Sequence, residues 1–225
     1  MFVDLPTRKR SGLHWATPLL AALFCAGYLW LRLLPDDPGM RAAILRWGAL
    51  SGSAGYWRDF WHDGRLFTLI SALFLHANLW HLIGNGLFLL IFGVPAERAL
   101  GPWRLLAAFL IGGALANLAA ALLMESPGRV IIGASGGISA LVGAYLVLFP
   151  KARLGVVVPL GLWLEFVRAP AALLIGLWAL LQLIFSFVGP SFGAVAWWAH
   201  LGGFLIGAAM ALLFRPGVAR RRHGR

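Results

Sequence analysis

The feature that most constrains this chain is a set of six apolar runs, most of them near the length that crosses a bilayer. They cover roughly 14–34, 78–94, 102–124, 134–149, 170–188 and 195–214. A bilayer core of about 30 Å asks for about 20 helical residues at 1.5 Å each. In lipid a chain must satisfy its own backbone N–H and C=O groups, so each run is predicted to be a helix. The predicted fold class is all-α, a polytopic membrane bundle of six transmembrane helices. Composition agrees: 60% of residues are hydrophobic and 12% charged, against about 25% charged in a soluble domain. The punctuation fits as well. Asn78 is placed to cap the second run, Gly101-Pro102 opens the third, Pro150 closes the fourth and Pro216 follows the sixth. The second and fourth runs are short for a bilayer. One end of each is expected below the surface, where water reaches it if protein lines the opening.

A net charge of +11 would suggest nucleic acid on a soluble protein. Here the basic residues cluster at the ends of apolar runs, so the expected partner is the lipid bilayer and not nucleic acid. Arg8-Lys9-Arg10 precedes a first run too long for a signal-peptide core, which reads as a retained first span. With the N-terminus inside, the inner segments hold Arg8, Lys9, Arg10, Arg98, Arg104, Lys151, Arg153, Arg168, Arg215, Arg220, Arg221, Arg222 and Arg225. The outer segments hold Arg32, Arg41, Arg46, Arg58, Arg65 and Arg129. That asymmetry predicts both termini in the cytoplasm. The organisation is then a basic cytoplasmic N-terminus, 1–13, a membrane domain, 14–214, and a basic cytoplasmic tail, 215–225. The alanine-, glycine- and arginine-rich usage with short loops fits a bacterial plasma membrane. Cys25, the single cysteine, has no partner within the chain and reads as a small packed hydrophobe.

Two connectors are unusual. Residues 35–77 form a long outer loop with Tyr56-Trp57, Trp61 and the apolar stretch Leu66–Leu75, expected to lie in the membrane interface. Residues 154–168, broken by Pro159 and Gly161, are expected as an inner, partly embedded connector that either stands apart from the fifth run or lengthens it.

Most polar residues within the runs need no special role. Asn117 and Gln182 each suit an interhelical hydrogen bond. Others converge. The second run opens with His76, His81 and Asn85, the fourth with Ser135, and the sixth with His200. Even-numbered spans all run from outside to inside, so these groups share one depth, a turn or so below the outer surface. A serine hydroxyl becomes a nucleophile when a base takes its proton, and a histidine does this near neutral pH. His81 and Asn85, four residues apart, share a helical face and make a pair of donors for a developing oxyanion. That leaves His200 as the base. The Ser135 backbone N–H, at a helix start, is a third oxyanion donor. No carboxylate lies at this depth, so the expected machinery is a Ser135–His200 dyad. Gly203 and Gly207 follow His200 as GxxxG, and the fourth run carries Gly136, Gly137, Ser139, Ala140 and Gly143, small faces that let two helices approach closely.

At these residues the chain resembles the rhomboid intramembrane serine proteases. "FLHANLWHLIGN" matches the H-x4-H-x3-N motif, "GASG" (Gly133 to Gly136) the GxSG motif, and "AHLGGFLIG" the H-x2-G-x3-G motif. The likeness covers about residues 64–210. It implies hydrolysis of a peptide bond within or beside the transmembrane segment of another membrane protein, which is the expected substrate. It also implies Ser135 as nucleophile, His200 as general base, and His81 and Asn85 as oxyanion stabilisers. His76 and "AERALG" (Ala96 to Gly101) would be structural. Substrate would come sideways from lipid and unwind locally, which small or helix-breaking residues ease. No metal or cofactor is required. His76 and His81 are five apart, unlike the H-E-x-x-H of a zinc protease. Two features depart from the family pattern. Tyr56-Trp57-Arg58 lies farther upstream of the first histidine than its Trp-Arg usually does, and Ser139 stands where some members carry a tyrosine.

Three rivals are weaker. Gly133–Gly137 also satisfies G-x-S-x-G, but no strand precedes it in a soluble α/β pattern. A transporter would carry inverted repeats, and none is evident. A catalytically silent scaffold for transmembrane helices would be expected to lose the serine or the histidine, and both are present.

Overall fold

The computed structural model describes residues 14–52, 65–124, 128–160, 163–189 and 195–223. The N-terminus 1–13 and the loop residues Tyr56-Trp57-Arg58, Trp61, His62 and Gly64 lie outside the described residues. From the amino end, α1 (Ala16–Arg32) is followed by α2 (Asp37–Trp47), β1 (Ala49–Leu50) and α3 (Arg65–Phe74). Then come α4 (Leu79–Leu100), α5 (Pro102–Leu123), β2 (Val130–Ile131) and α6 (Ser135–Leu148). A hairpin of β3 (Arg153–Leu160) and β4 (Trp163–Pro170) leads to α7 (Ala171–Val188) and α8 (Trp197–His223). Each of the six apolar runs holds a helix. Four helical stretches, α4, α5, α7 and Trp197–Arg215 of α8, are long and apolar enough to cross a membrane. α1 and α6 are apolar but shorter, at 17 and 14 residues.

The centre of the bundle is α6. Every residue from Gly136 to Tyr145 is buried, the mark of a helix surrounded on all sides. It is packed by α5, α8 and the later part of α4. Apolar side chains gain little by leaving lipid for protein, so such contacts depend on close packing and small residues. α6 meets this with glycine. A Cβ on Gly207 would collide with the Ala140 carbonyl, one on Gly203 with the Gly136 carbonyl, and one on Gly143 with the Phe204 carbonyl. α6 and α8 therefore touch backbone to backbone along several turns. On its other side, α6 sets Gly137 against Phe109 of α5.

A buried carboxylate ties the first helix to the bundle. Glu97, 1% exposed, lies near the end of α4. It accepts hydrogen bonds from the backbone N–H groups of Ala16 and Thr17, at 2.8 and 2.9 Å, and from the Thr17 hydroxyl at 2.6 Å. These are the orphan donors of α1's first turn, where the helix dipole favours an anion. The start of α1 and the end of α4 therefore share one end of the bundle, and Trp15 packs edge-on to Trp103 there, ring centroids 5.0 Å apart. This is the place of the "AERALG" turn that the sequence marked as structural.

Two expectations are corrected, and two connectors gain detail. The second span is not short: α4 continues past residue 94 through Pro95 to Leu100. A π-helical turn, Leu89–Gly93, lies just before Pro95 and accommodates a residue that has no N–H to give and would crowd the preceding turn. The sixth span ends at Arg215, near where the sequence put it, but its helix does not stop at Pro216. The helix carries on to His223, and cations near a helix C-terminus suit its dipole. The connector 154–168 is a regular antiparallel hairpin pairing Arg153 with Pro170 and Val157 with Phe166. The β-branched run Val156-Val157-Val158 favours extended backbone, and Pro159 sits within a strand, paired with Leu164, instead of breaking a helix; Gly161 lies outside the described residues. The outer loop, too, has ordered parts. Asp36 Oδ1 accepts from Gly39 N at 2.6 Å to start α2, β1 pairs with β2, and α3 follows.

Two substitutions test this packing. Gly207→Val should force α6 and α8 apart and lower stability by about 1–3 kcal/mol or more, read as a fall in the thermal midpoint in detergent. Glu97→Ala should leave α1's first donors unpaired at a cost of roughly 1.5–3 kcal/mol, read by the same measurement.

Candidate active site

His81, Asn85, Ser135 and His200, four of the five residues that converge in the sequence, line one cavity of about 360 Å³, and His76 does not. His81 and Asn85 come from the first turns of α4, Ser135 and Ser139 from the start of α6, and His200 from the first turn of α8. Gln182 of α7 joins them, and Trp80, Phe88, Ile138, Val142, Trp178 and Trp197 form apolar walls. The cavity sits at the opening ends of three helices. Because Glu97 marks the far end of α4, the cavity and the Glu97 tether occupy opposite ends of the bundle.

Local structure explains each placement. Asn78 Oδ1 accepts from His81 N at 2.9 Å, the N-cap expected from sequence, and it sets the start of α4. His81 and Asn85 then project one turn apart on the same face. His76 lies just before that cap. It is buried between Phe24, at 5.3 Å between ring centroids, and His81, at 5.2 Å. Burial pushes its basicity down, with the neighbouring His81 adding to the effect.

Gly133 is one place where only glycine fits. Its φ is +116°, and a Cβ there would lie 2.5 Å from His81 Cε1. Its N–H donates to the Ala72 carbonyl at 2.8 Å. The loop before Ser135 is thus anchored to the end of α3 while its backbone rests on the His81 ring. Ser135 is the first residue of α6, where backbone N–H groups have no partner within the helix. Gly136, the next residue, faces Ala116 of α5, and its carbonyl meets Gly203 of α8. Ser139 donates its hydroxyl to the Ser135 carbonyl at 2.7 Å. Asn85 is buried, and its Nδ2 has no hydrogen-bond partner among the described residues. An idle buried donor is costly in a stable fold and recurs where a ligand is to be met.

His200 is held from two sides. Its ring stands edge-on to Trp197, centroids 5.9 Å apart, and Trp197 stacks on Phe185 of α7 at 4.9 Å. Its Nδ1 lies 2.8 Å from Oε1 of Gln182. The sequence suggested only an interhelical hydrogen bond for Gln182, and that bond ends on the histidine of the cavity. Its spacing offered the missed signal: Ala171, Ile175, Gln182 and Ser186 form the buried stripe of α7, so the glutamine had to face inward. Asn117 keeps the plainer role, its Nδ2 donating to the Leu69 carbonyl at 2.8 Å.

Comparison with known proteins agrees with this architecture. The sequence profile of the Rhomboid domain matches residues 63–217. The chain is 29% identical over 178 residues to "RHOMBOID-like protein 12, mitochondrial" of Arabidopsis thaliana, covering 72% of this chain and 50% of that protein. It is 30% identical over 162 residues to "RHOMBOID-like protein 2" of the same plant, covering 71% and 46%. It is 37% identical over 84 residues to "Rhomboid-like protease 2" of Toxoplasma gondii, covering 37% and 29%. The chain thus spans half or less of the length of these relatives. With a helical membrane bundle whose matched region holds all three polar motifs, the chain belongs to the rhomboid family.

Proposed function

We propose that this protein is an intramembrane serine endopeptidase that cleaves transmembrane segments of other membrane proteins with a Ser135–His200 dyad. The observation that carries the reading is the shared cavity, in which a hydroxyl, an imidazole and a pair of candidate oxyanion donors from three helices meet at one end of the bundle. The name of the Toxoplasma relative, a protease, points the same way.

The steps follow from the chemistry of the groups. Ser135 Oγ attacks the substrate carbonyl carbon as its proton passes to His200. The carbonyl oxygen becomes an oxyanion and receives hydrogen bonds from Asn85 Nδ2, the His81 ring N–H and the Ser135 backbone N–H. The C–N bond then breaks, and the leaving amine takes the proton from His200. Water, deprotonated in turn by His200, attacks the acyl-serine and releases the second product. The idle Nδ2 of Asn85 suits this scheme because it needs no rearrangement to meet the oxyanion. The apolar walls suit a substrate side chain drawn from lipid. In this reading α1 and α6 complete six crossings, both termini are cytoplasmic, and the cavity opens toward the outer face of a bacterial inner membrane.

Purified protein in liposomes with a test transmembrane substrate decides the matter. Ser135→Ala and His200→Ala should each abolish cleavage, and a fluorophosphonate should label Ser135 in the parent chain only. Retained cleavage by either variant refutes the dyad. Failure of the parent to cleave or to take the label favours the scaffold reading. His81→Ala and Asn85→Ala should each lower kcat by about 10²–10³, seen as slower single-turnover cleavage with little change in substrate binding.

A further inference from the structure

α7 is only lightly embedded in the bundle, with Ala171, Ile175, Gln182 and Ser186 as its buried residues. Leu173, Leu177, Leu180, Leu181, Ile184 and Phe187 are exposed along it, which in a membrane means facing lipid. In its middle sits Gln182, 5% exposed. A primary amide in an apolar setting is costly unless its donors and acceptor are used, so its hydrogen bonds say what it is for.

They are directional. Gln182 Nε2 donates to the Trp178 carbonyl, one turn back, at 3.3 Å, and Oε1 lies 2.8 Å from His200 Nδ1. The reverse amide orientation would set Oε1 against the Trp178 carbonyl, two acceptors facing each other, so the backbone selects the orientation observed. An amide oxygen only accepts. His200 Nδ1 must therefore carry the hydrogen, and in the neutral ring Nε2 is left with its lone pair. No carboxylate lines the cavity among the described residues, and the nearby Ser139 hydroxyl is taken up by the Ser135 carbonyl.

We infer that Gln182 is a positioning residue for His200: through the Nδ1–H···Oε1 bond it fixes the tautomer and ring orientation that leave Nε2 free to accept a proton. The inference rests on the dyad reading for its catalytic consequence, though not for the tautomer itself. The glutamine side chain makes its two hydrogen bonds among the described residues to the Trp178 carbonyl and the His200 ring, not to Ser135. It acts through the imidazole, as an orienting carboxylate does in a soluble triad.

The test uses the full-length protein in micelles and liposomes. Gln182→Leu keeps a lipid-compatible side chain of similar size and removes the acceptor, whereas Gln182→Glu keeps an acceptor. Histidine-selective 15N NMR, with His200→Ala assigning the signal, reads the tautomer whether or not cleavage is observed. The parent should show His200 protonated on Nδ1. Gln182→Leu should show a mixture of both tautomers and a kcat lower by about 10- to 100-fold with KM nearly unchanged. Gln182→Glu should recover most of both. An unchanged His200 tautomer in Gln182→Leu overturns the inference, whatever happens to kcat. So does a loss of kcat that Gln182→Glu fails to rescue. If the parent chain does not cleave, the dyad reading fails while the tautomer measurement still decides the role of Gln182.

Discussion

The backbone contact between α6 and α8 is the constraint on which the rest of the structure depends. Two helices in lipid gain little from hiding apolar side chains against each other, so their association rests on distance. Gly143, Gly203 and Gly207 bring the two axes close enough for main-chain atoms to touch. That contact fixes where the first residue of α6 stands relative to the first turn of α8, and so holds Ser135 and His200 on one cavity. α4 and α7 then close the remaining sides and contribute His81, Asn85 and Gln182. The far end is secured separately by Glu97, which locks α1 to α4 without entering the cavity.

Much of this was legible in the residues, because membrane helices leave a strong length signal and polar groups inside them are rare. Six runs marked six helices, the short side chains of the fourth and sixth marked a close contact, and Asn78 marked a cap. The misses in element bounds fall at prolines. Pro95 and Pro216 are carried inside helices, the first behind a π turn. Pro159 belongs to a strand of a β-hairpin whose apolar character hid its extended backbone. Gln182 was read as generic because spacing along one chain does not say which neighbour a side chain reaches. Only the packing of α7 against α8 sets its amide oxygen against the His200 ring.

Among the described residues, no carboxylate, lysine or arginine lines the site. A carboxylate beside His200 would have to be stripped of water in an apolar setting, and its attraction for the ring would be offset by that loss. A glutamine supplies an acceptor in the same direction with a smaller desolvation penalty, and its own N–H₂ is satisfied by its helix. The described lining thus offers dipoles and rings: an amide at each of two positions, helix-start N–H groups and imidazoles. Such groups reorganise little when charge appears, which is the condition for stabilising a transient oxyanion.

The π turn in α4 has a consequence for how that span is built. With bonds reaching five residues back, it holds about one residue more than an α-helical turn of the same span. The stretch bearing His81 and Asn85 and the stretch bearing Glu97 are therefore offset in angular phase by about 100°, the rotation of one helical residue. An uninterrupted α-helix of this length could not aim its polar pair into the cavity and its carboxylate at the start of α1 together. Deleting any single residue within 89–93 would leave the composition of the span almost untouched and swing one end out of alignment with the other.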